Sequence, residues 1–409
     1  MKLYSYQERA LEAIKKHKKG CCYLPTGAGK TVVMMQDAKQ RLIEANTPQT
    51  FVIVAPRILL SVQLCEEFIS YLKRDDLYIL HVHSGDTHYS STTQSDKIEM
   101  HSRLARAINK HTIIFTTYNS LERINETELD LDVVYFDEAH HSVKPKNFIG
   151  VACTASTSNS SYFFTATPRI NDKVQSMNNT DVYGPNIITI SAKELLSAGT
   201  IIPPEVVAFN TDIVRTKENA SEVDAENIIG ILNDIDDEFP KVLVAAPSTK
   251  IIWEALSHTN LLSELNDLGY TVMHITAKYG CFINRTKVSR EKFFEQLTLI
   301  GNDNTQKLIV FHYSILSEGI DCPGLTHCIL LRNLPTIELL QTIGRVIRVS
   351  KEDRTAIQNK QLKAGQFEDY KKSCGKIIVP IHSQVANATC NKLQSVVNAV
   401  FVRGLTLST

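Results

Sequence analysis

The stretch YLPTGAGKT, residues 23–31, decides how the rest of the chain is read. The apolar run 20–24 before it has the length of an inner strand, and the apolar run 32–35 after it continues into a helical pattern. Between them lie Gly27, Ala28, Gly29, Lys30 and Thr31. A strand that ends in so little side chain can curl its backbone N–H groups around a polyphosphate, because glycine permits positive φ and close approach. The following helix points its positive end at the same anion. Lys30 supplies the charge that reaches the β and γ phosphates, and Thr31 a hydroxyl for Mg2+. Leu24 stands where the general G-x-x-x-x-G-K-[ST] pattern has its first glycine, so only the G-x-G-K-T part is present. A chance match in a surface loop is the bland alternative; the strand before and helix after argue against it.

Working outward, the 409 residues exceed what one core usually serves, so two domains are expected. Apolar content of 43% and charged content of 22% are those of an ordinary globular protein. No apolar run is long enough to cross a bilayer, and residues 1–19 lack a signal-peptide core. They read as an amphipathic helix with Leu11 and Ile14 inward. Lys+Arg and Asp+Glu both number 44, which argues against a bulk polycation but leaves room for a locally basic cleft. Nine scattered cysteines without a CxxC point to reduced core thiols and a cytoplasmic location, not to disulfides or zinc.

Short apolar runs at 50–54, 78–82, 112–116, 133–136 and 162–165 alternate with helical patterns at 30–45, 58–72 and 96–109. That alternation predicts a mainly parallel sheet wrapped by helices. The rhythm restarts with strands expected at 205–209, 242–245, 271–275, 307–311, 327–331 and 376–381. Helices are expected at 249–268, 284–299, 337–347 and 383–400. The join falls in SAGTIIPPE, residues 197–205, and the polar stretches 84–95, 156–161 and 211–224 read as loops.

A phosphate site needs a metal and a way to activate water. VVYFDEAHH, residues 133–141, offers both: an apolar strand ending in two carboxylates that diverge. Asp137 can hold Mg2+ through water, while Glu138 orients and deprotonates the attacking water. An acid-rich helix start is the bland alternative.

Asp137-Glu138-Ala139-His140 is a DEAH box, and with Lys30 it resembles the superfamily two helicases and translocases. Further motifs follow in the family's order over residues 3–381. YSYQERAL (4–11) resembles the adenine-reading motif, with Gln7 as the reader. VIVAPRILLSVQ (52–63), FTTYNSL (115–121) and FFTATP (163–168) resemble motifs Ia, Ib and III, the last with Thr165 in place of serine. HYSILSEGIDCPGL (312–325) resembles motif V, and QTIGRVIR (341–348) matches motif VI in full. The resemblance implies two tandem RecA-like α/β domains, each a mainly parallel sheet flanked by helices, over residues 1–200 and 201–409. It implies ATP, with Mg2+, in the interdomain cleft.

On a helix, Arg345 and Arg348 share one face, with Gln341 four residues before Arg345. Two fixed guanidiniums suit a γ-phosphate whose charge moves in the transition state. A solvent-facing basic helix is the alternative. By resemblance, Gly319 and Asp321 match the ribose contact and the link to the motor strand, a turn carboxylate being the bland alternative for Asp321. Thr165 and Thr167 do no acid–base chemistry at neutral pH and read, with His140, as couplers of the Glu138 region to the cleft, or the threonines as plain strand-end residues. Arg57, Thr117, Tyr118 and Thr249 are the family's candidates for gripping nucleic-acid phosphates, which gives little sequence preference. His81, His83 and His88 lack metal-ligand spacing.

In motif style, TATP, DEAHH and SEGIDCPG resemble the restriction-subunit and repair-type branch, often double-stranded DNA translocases. APRILL departs from the PTREL of RNA DEAD-box proteins. Three readings stay open: a DNA translocase or helicase, which is favoured; an RNA helicase or remodelling ATPase; and a nucleotide-gated clamp run by a partner protein. A monomer is expected, and two arrangements stay open: a compact stand-alone motor, as of viral or mobile-element type, or one subunit that takes its target from a partner protein. No strand-separating wedge or β-hairpin is identifiable in the sequence.

Overall fold

Each apolar run expected to be a strand becomes one, and all but the run at 205–209 lie in the interior of a sheet. The computed structural model describes residues 3–85, 87–276, 278–313, 322–382 and 387–407. The chain folds as two units, one built on Met1–Ser191 and the other on Ala192–Leu405.

The first unit holds β1 (Lys19–Tyr23), β2 (Thr50–Ala55), β3 (Leu77–Val82), β4 (Ser90–Ser91), β5 (His111–Thr117), β6 (Val133–Phe136), β7 (Ser161–Thr165) and β8 (Asn186–Thr189). They form one parallel sheet in the order β4-β3-β5-β2-β6-β7-β1-β8. The strands β1, β2, β5, β6 and β7 are almost wholly buried, as parallel strands covered on both faces must be. Because the strands are parallel, the loops after β1, β2, β5, β6 and β7 all leave from one end. Those loops carry the phosphate loop and the motifs at 52–63, 115–121, 137–140 and 163–168.

The second unit holds β9 (Pro204–Thr211), β10 (Lys241–Ala245), β11 (Tyr270–Thr276), β12 (Gly280–Ile283), β13 (Thr286–Val288), β14 (Lys307–His312), β15 (His327–Leu330) and β16 (Gly375–His382). Their order is β13-β12-β11-β14-β10-β15-β16-β9, antiparallel only at β11-β12 and β12-β13. Both sheets are thus mainly parallel and flanked by helices, as tandem RecA-like folds require.

Several elements depart from the sequence expectation. The units divide at 191/192, so the helix Ala192–Ser197 belongs to the second unit. It ends at Gly199, whose φ of +63° and tight approach to the Tyr370 hydroxyl leave no room for a side chain. The span 211–224 is not all loop: a helix starts at Ala220 and runs to Asn233, because Asp224 faces inward onto the Arg215 guanidinium at 2.7 and 3.0 Å. The expected helix 284–299 opens instead as the β12–β13 hairpin, turned at Asn284 (φ 51°), and the helix begins at Arg290 behind a Ser289 cap. The expected helix 249–268 is two, Thr249–His258 and Leu261–Asp267, broken where the Thr259 hydroxyl donates to the Ala255 carbonyl.

Candidate functional site

Gly27 and Gly29 take φ of 89° and 75°, the left-handed conformation that a phosphate-cradling loop demands. Gly29 stands directly before the helix Lys30–Glu44. A Cβ there would lie 2.6 Å from the Gln7 amide nitrogen. Gln7 is buried, donates to the Ala28 carbonyl at 3.0 Å and accepts from the Tyr4 N–H at 3.1 Å. The glutamine is therefore a tether for the loop backbone.

The end of β6 brings the carboxylates to the same place. Lys30 Nζ lies 3.4 Å from Glu138 Oε1, with both side chains mostly buried. Glu138 itself adopts φ 46°, a backbone conformation rare outside glycine and asparagine. Burial and the adjacent Glu138 charge push the Asp137 carboxyl up to about 7, against the lowering effect of Lys30. Two buried carboxyl groups thus share one ammonium beside a loop of N–H groups, and a divalent cation there would favour their charged forms. That donor set fits Mg2+, which takes one or two carboxylates plus phosphate oxygens and water. Thr31, in the first turn of the same helix, adds a hydroxyl.

A chain of polar contacts leads away from Glu138. The His140 ring approaches Glu138 Oε2 at 3.5 Å, and its Nδ1 is 3.0 Å from the Thr165 hydroxyl. Thr165 Oγ1 accepts from the Thr167 N–H at 3.2 Å and lies 3.3 Å from the Thr167 carbonyl. Burial, then the charges of Arg169 and Lys30, hold the His140 ring at about 3, so it is neutral and its approach to Glu138 is dipolar rather than an ion pair. The four residues 138, 140, 165 and 167 are thereby brought together.

A second network was not legible in the sequence. Asp37, in the helix behind the phosphate loop, accepts from Arg41 Nε at 2.8 Å and from the Tyr135 hydroxyl at 2.5 Å. Arg41 also donates to the Tyr162 hydroxyl at 2.8 Å, which donates to the His17 carbonyl at 2.7 Å. These contacts brace the Lys30 helix on β6 and β7, the strands that carry Asp137 and Thr165. The only local signal was the i,i+4 Asp–Arg spacing, which an exposed helix face also shows.

In the second unit, Gln341 and Arg345 lie buried on the helix Thr336–Val346. Arg348 does not share that helix. The Ile202 N–H bonds to the Ile347 carbonyl at 2.8 Å and Arg348 pairs with Ile201 in an antiparallel bridge, which draws the chain out of helical geometry after Val346. The expectation of one helical face for both arginines is corrected accordingly. Beside Arg345 sits His312, fully buried, with neither ring nitrogen hydrogen-bonded among the described residues; burial and the charges of Arg345 and Arg332 lower it to about 3. The Gln341 amide nitrogen is likewise unpartnered among them. Orphaned polar atoms around a buried guanidinium suit an anion. Gly319 and Asp321 lie outside the described residues.

The four candidates for polymer contact differ in placement. Arg57 and Thr249 are partly exposed, at the N-cap of the helix Ile58–Leu72 and in the first turn of Thr249–His258. Thr117 and Tyr118 are buried, and the Tyr118 hydroxyl donates to the Asp137 carbonyl at 2.8 Å. His81 and His83 hydrogen-bond to each other at 2.9 Å, and no metal-binding group of three His, Cys, Asp or Glu occurs among the described residues. All nine cysteines are free. No helix of the described residues is long and apolar enough to cross a membrane.

Residues 1–170 match the family model of the res subunit of type III restriction enzymes, ResIII. A protein of Sulfolobus islandicus filamentous virus (isolate Iceland/Hveragerdi), named "Putative helicase 22", is 24% identical over 349 residues, 82% of this chain and 59% of that protein. The chain thus spans less than two thirds of that relative. Among solved structures, the ATP-dependent type ISP restriction-modification enzyme LlaBIII, bound to DNA, is similar with a TM-score of 0.72 at 18% identity, over 99% of this chain and 30% of that one. A variant of Saccharomyces cerevisiae Dbp5, bound to RNA, is similar with a TM-score of 0.56 at 15% identity, over 100% of this chain and 90% of that one. The first unit thus matches the ResIII model over most of its length, and the whole chain shares the fold of these solved structures.

Proposed function

We propose that the chain is an ATP-hydrolysing motor that moves on nucleic acid, DNA in preference to RNA, by gripping the phosphate backbone. The observation that carries this reading is the Lys30–Glu138 contact at 3.4 Å, continued through His140 to Thr165. When bound, Mg·ATP supplies the phosphoanhydride whose hydrolysis drives movement. Lys30 and the N–H groups of residues 27–29 hold phosphate oxygens, and Thr31 and Asp137 hold the metal. Glu138 takes the proton of the attacking water at its carboxylate, and its contact with Lys30 gives way to do so. Gln7 keeps the loop in shape. Neutral His140 cannot act as an acid; it passes the position of Glu138 to Thr165 and Thr167 as a hydrogen-bond change. Arg345 and Arg348, with Gln341, stabilise charge on the transferred phosphoryl group. The first unit, built on residues 1–191, is the ATP-binding domain, and the second, built on 192–405, the C-terminal helicase domain.

DNA is favoured because the match to ResIII and the DNA-bound LlaBIII both lie on the restriction-enzyme side of the superfamily. The viral relative supports a viral or mobile-element origin, and the free cysteines support a reducing cytoplasm. The test is steady-state ATP hydrolysis with no polymer, single-stranded DNA, duplex DNA and RNA, against Lys30→Ala. Stimulation by DNA supports the motor reading, and stimulation by RNA alone moves the substrate to RNA. Hydrolysis blind to every polymer overturns the motor reading in favour of a partner-controlled switch.

A further inference from the structure

The second sheet ends at one edge in an antiparallel hairpin, β12–β13, that the sequence did not reveal. Residues 278–290 hold four basic side chains, Lys278, Arg285, Lys287 and Arg290, and no acidic one, in a chain whose charges balance overall at 44 each. All four are exposed. Charged side chains keep an edge strand from pairing with another chain. Arg290 stands beside the exposed Glu291, which leaves Lys278, Arg285 and Lys287 as a local positive strip on the hairpin itself.

The strip is rigidly mounted. At its tip, Asn284 donates its N–H to the Val272 carbonyl and accepts from the Val272 N–H at 2.9 Å through its side chain. At its base, Trp253 stacks on Tyr279 at 4.7 Å and meets Phe282 edge-on at 5.7 Å. Trp253 belongs to the helix Thr249–His258, which opens at the partly exposed Thr249. Charged side chains on a fixed backbone lose less freedom on binding than the same side chains on a loose loop. Arg285 lies in the two-residue turn and Lys287 on β13, so both charges sit near the free end of the hairpin.

We propose that this edge hairpin is a nucleic-acid backbone clamp, with Arg285 and Lys287 on phosphates and Trp253 fixing the hairpin to the helix that begins at Thr249. The proposal rests on the motor reading and adds a contact outside the helicase motifs. It accounts for grip without base readout, since ammonium and guanidinium groups on a strand edge meet phosphates and not base edges.

The test titrates fluorescein-labelled single-stranded and duplex DNA of mixed sequence with the full chain at several salt concentrations. The variants are Arg285→Ala with Lys287→Ala, and the charge-keeping pair Arg285→Lys with Lys287→Arg. Loss of two phosphate contacts lowers the slope of log K against log salt by roughly 1.4–1.8. The alanine pair is expected to show that fall and about tenfold weaker binding at low salt, with polymer-free ATP hydrolysis unchanged. The charge-keeping pair restores the slope. Trp253, the chain's single tryptophan, changes emission on DNA binding in the wild type. Wild-type binding with the same affinity and slope in the alanine pair overturns the clamp and leaves the motor reading standing. Wild-type failure to bind any nucleic acid overturns both. A wild-type chain that self-associates through β13, seen by light scattering, assigns the edge to a second copy and also overturns the clamp.

Discussion

Lys372 lies outside every helicase motif, yet this half-buried residue turns its ammonium onto the backbone of two of them. It donates to the Leu325 carbonyl at 2.6 Å and to the Arg348 carbonyl at 2.9 Å. Its own backbone is held by Asp353, whose carboxylate accepts the N–H groups of Lys371 and Lys372 at 3.0 and 3.2 Å. Burial first, then the Arg348 charge, lower the Lys372 amine to about 7 from 10.5, against smaller raising effects of Cys374, Asp353 and Asp237. The unfolded chain therefore binds more protons than the folded one between those values, and folding stability rises with pH across that window. Below about pH 7 the penalty is fully present, at about 1.4 kcal/mol per pH unit of displacement, or roughly 5 kcal/mol. Lys372→Met removes that penalty but takes a donor from two buried carbonyls, at about 1–3 kcal/mol each. The two effects nearly cancel at pH 7. By pH 10 about 4 kcal/mol of the penalty has gone from the wild type, and the variant is then clearly the less stable protein. Urea unfolding followed by Trp253 emission reads this within the second unit, since no other tryptophan exists. Turnover should fall roughly ten- to a hundredfold with little change in the KM for ATP, because Arg348 is displaced and not removed. Parallel pH–stability curves for wild type and variant would refute the buried-lysine argument, and unchanged turnover would refute its positioning of Arg348.

Other outcomes are expected from the same reasoning. Glu138→Gln should retain nucleotide binding and lose hydrolysis by a factor of at least about 10², as single-turnover kinetics would report; wild-type turnover would remove Glu138 from the reaction. Asp37→Ala should destabilise the first unit by about 3–5 kcal/mol, by stranding Arg41 and the Tyr135 hydroxyl. Asp37→Asn should cost less because its amide oxygen still accepts, and circular dichroism during urea unfolding separates the two. Acid should also weaken the fold. Burial lowers His274 and His327 to about 4, so the unfolded state binds more protons between pH 6.5 and 4, and stability is lost as pH falls through that range. Each contributes about 2 kcal/mol of loss by pH 5, and a urea midpoint unmoved between pH 7 and 5 would contradict this.

What the sequence disclosed depended on how far apart the cooperating residues lie along it. The phosphate loop is a strand, two glycines and a helix within residues 19–44, so local chemistry alone announces it. The parallel core strands were legible for the same reason, as uninterrupted apolar runs between helical patterns. The hairpin Gly280–Val288 was not, because CFINRTKV is too short and too mixed to separate from the first turns of the helix that follows. Arg348 was placed on a helix because the i,i+3 spacing is helical. Only the strand pairing with Ile201, nearly 150 residues away in sequence, shows why the helix ends before it. Asp37, His312 and Lys372 carry no motif at all. Their importance comes from burial and from partners on distant elements, which a reading along the chain does not see.

Tyr118 shows where that distance matters for mechanism. It sits in the motif that family resemblance places against the polymer, yet its ring is buried and its hydroxyl bonds to the carbonyl of Asp137. A buried phenol cannot grip a phosphate. It can pass on a shift of the loop that holds it, because moving residues 117–121 by a few tenths of an ångström changes the hydrogen bond to the residue proposed to hold the metal. On this reading the polymer acts on the ATP site through backbone, with Thr116 anchoring the same strand end by its bond to the Val82 carbonyl at 2.8 Å. Tyr118→Phe removes the bond and keeps the ring. It should leave polymer-free hydrolysis near the wild-type rate and reduce the stimulation by DNA severalfold, while DNA affinity stays the same. A loss of affinity instead would put Tyr118 back on the polymer face, and undiminished stimulation would show that the coupling runs elsewhere.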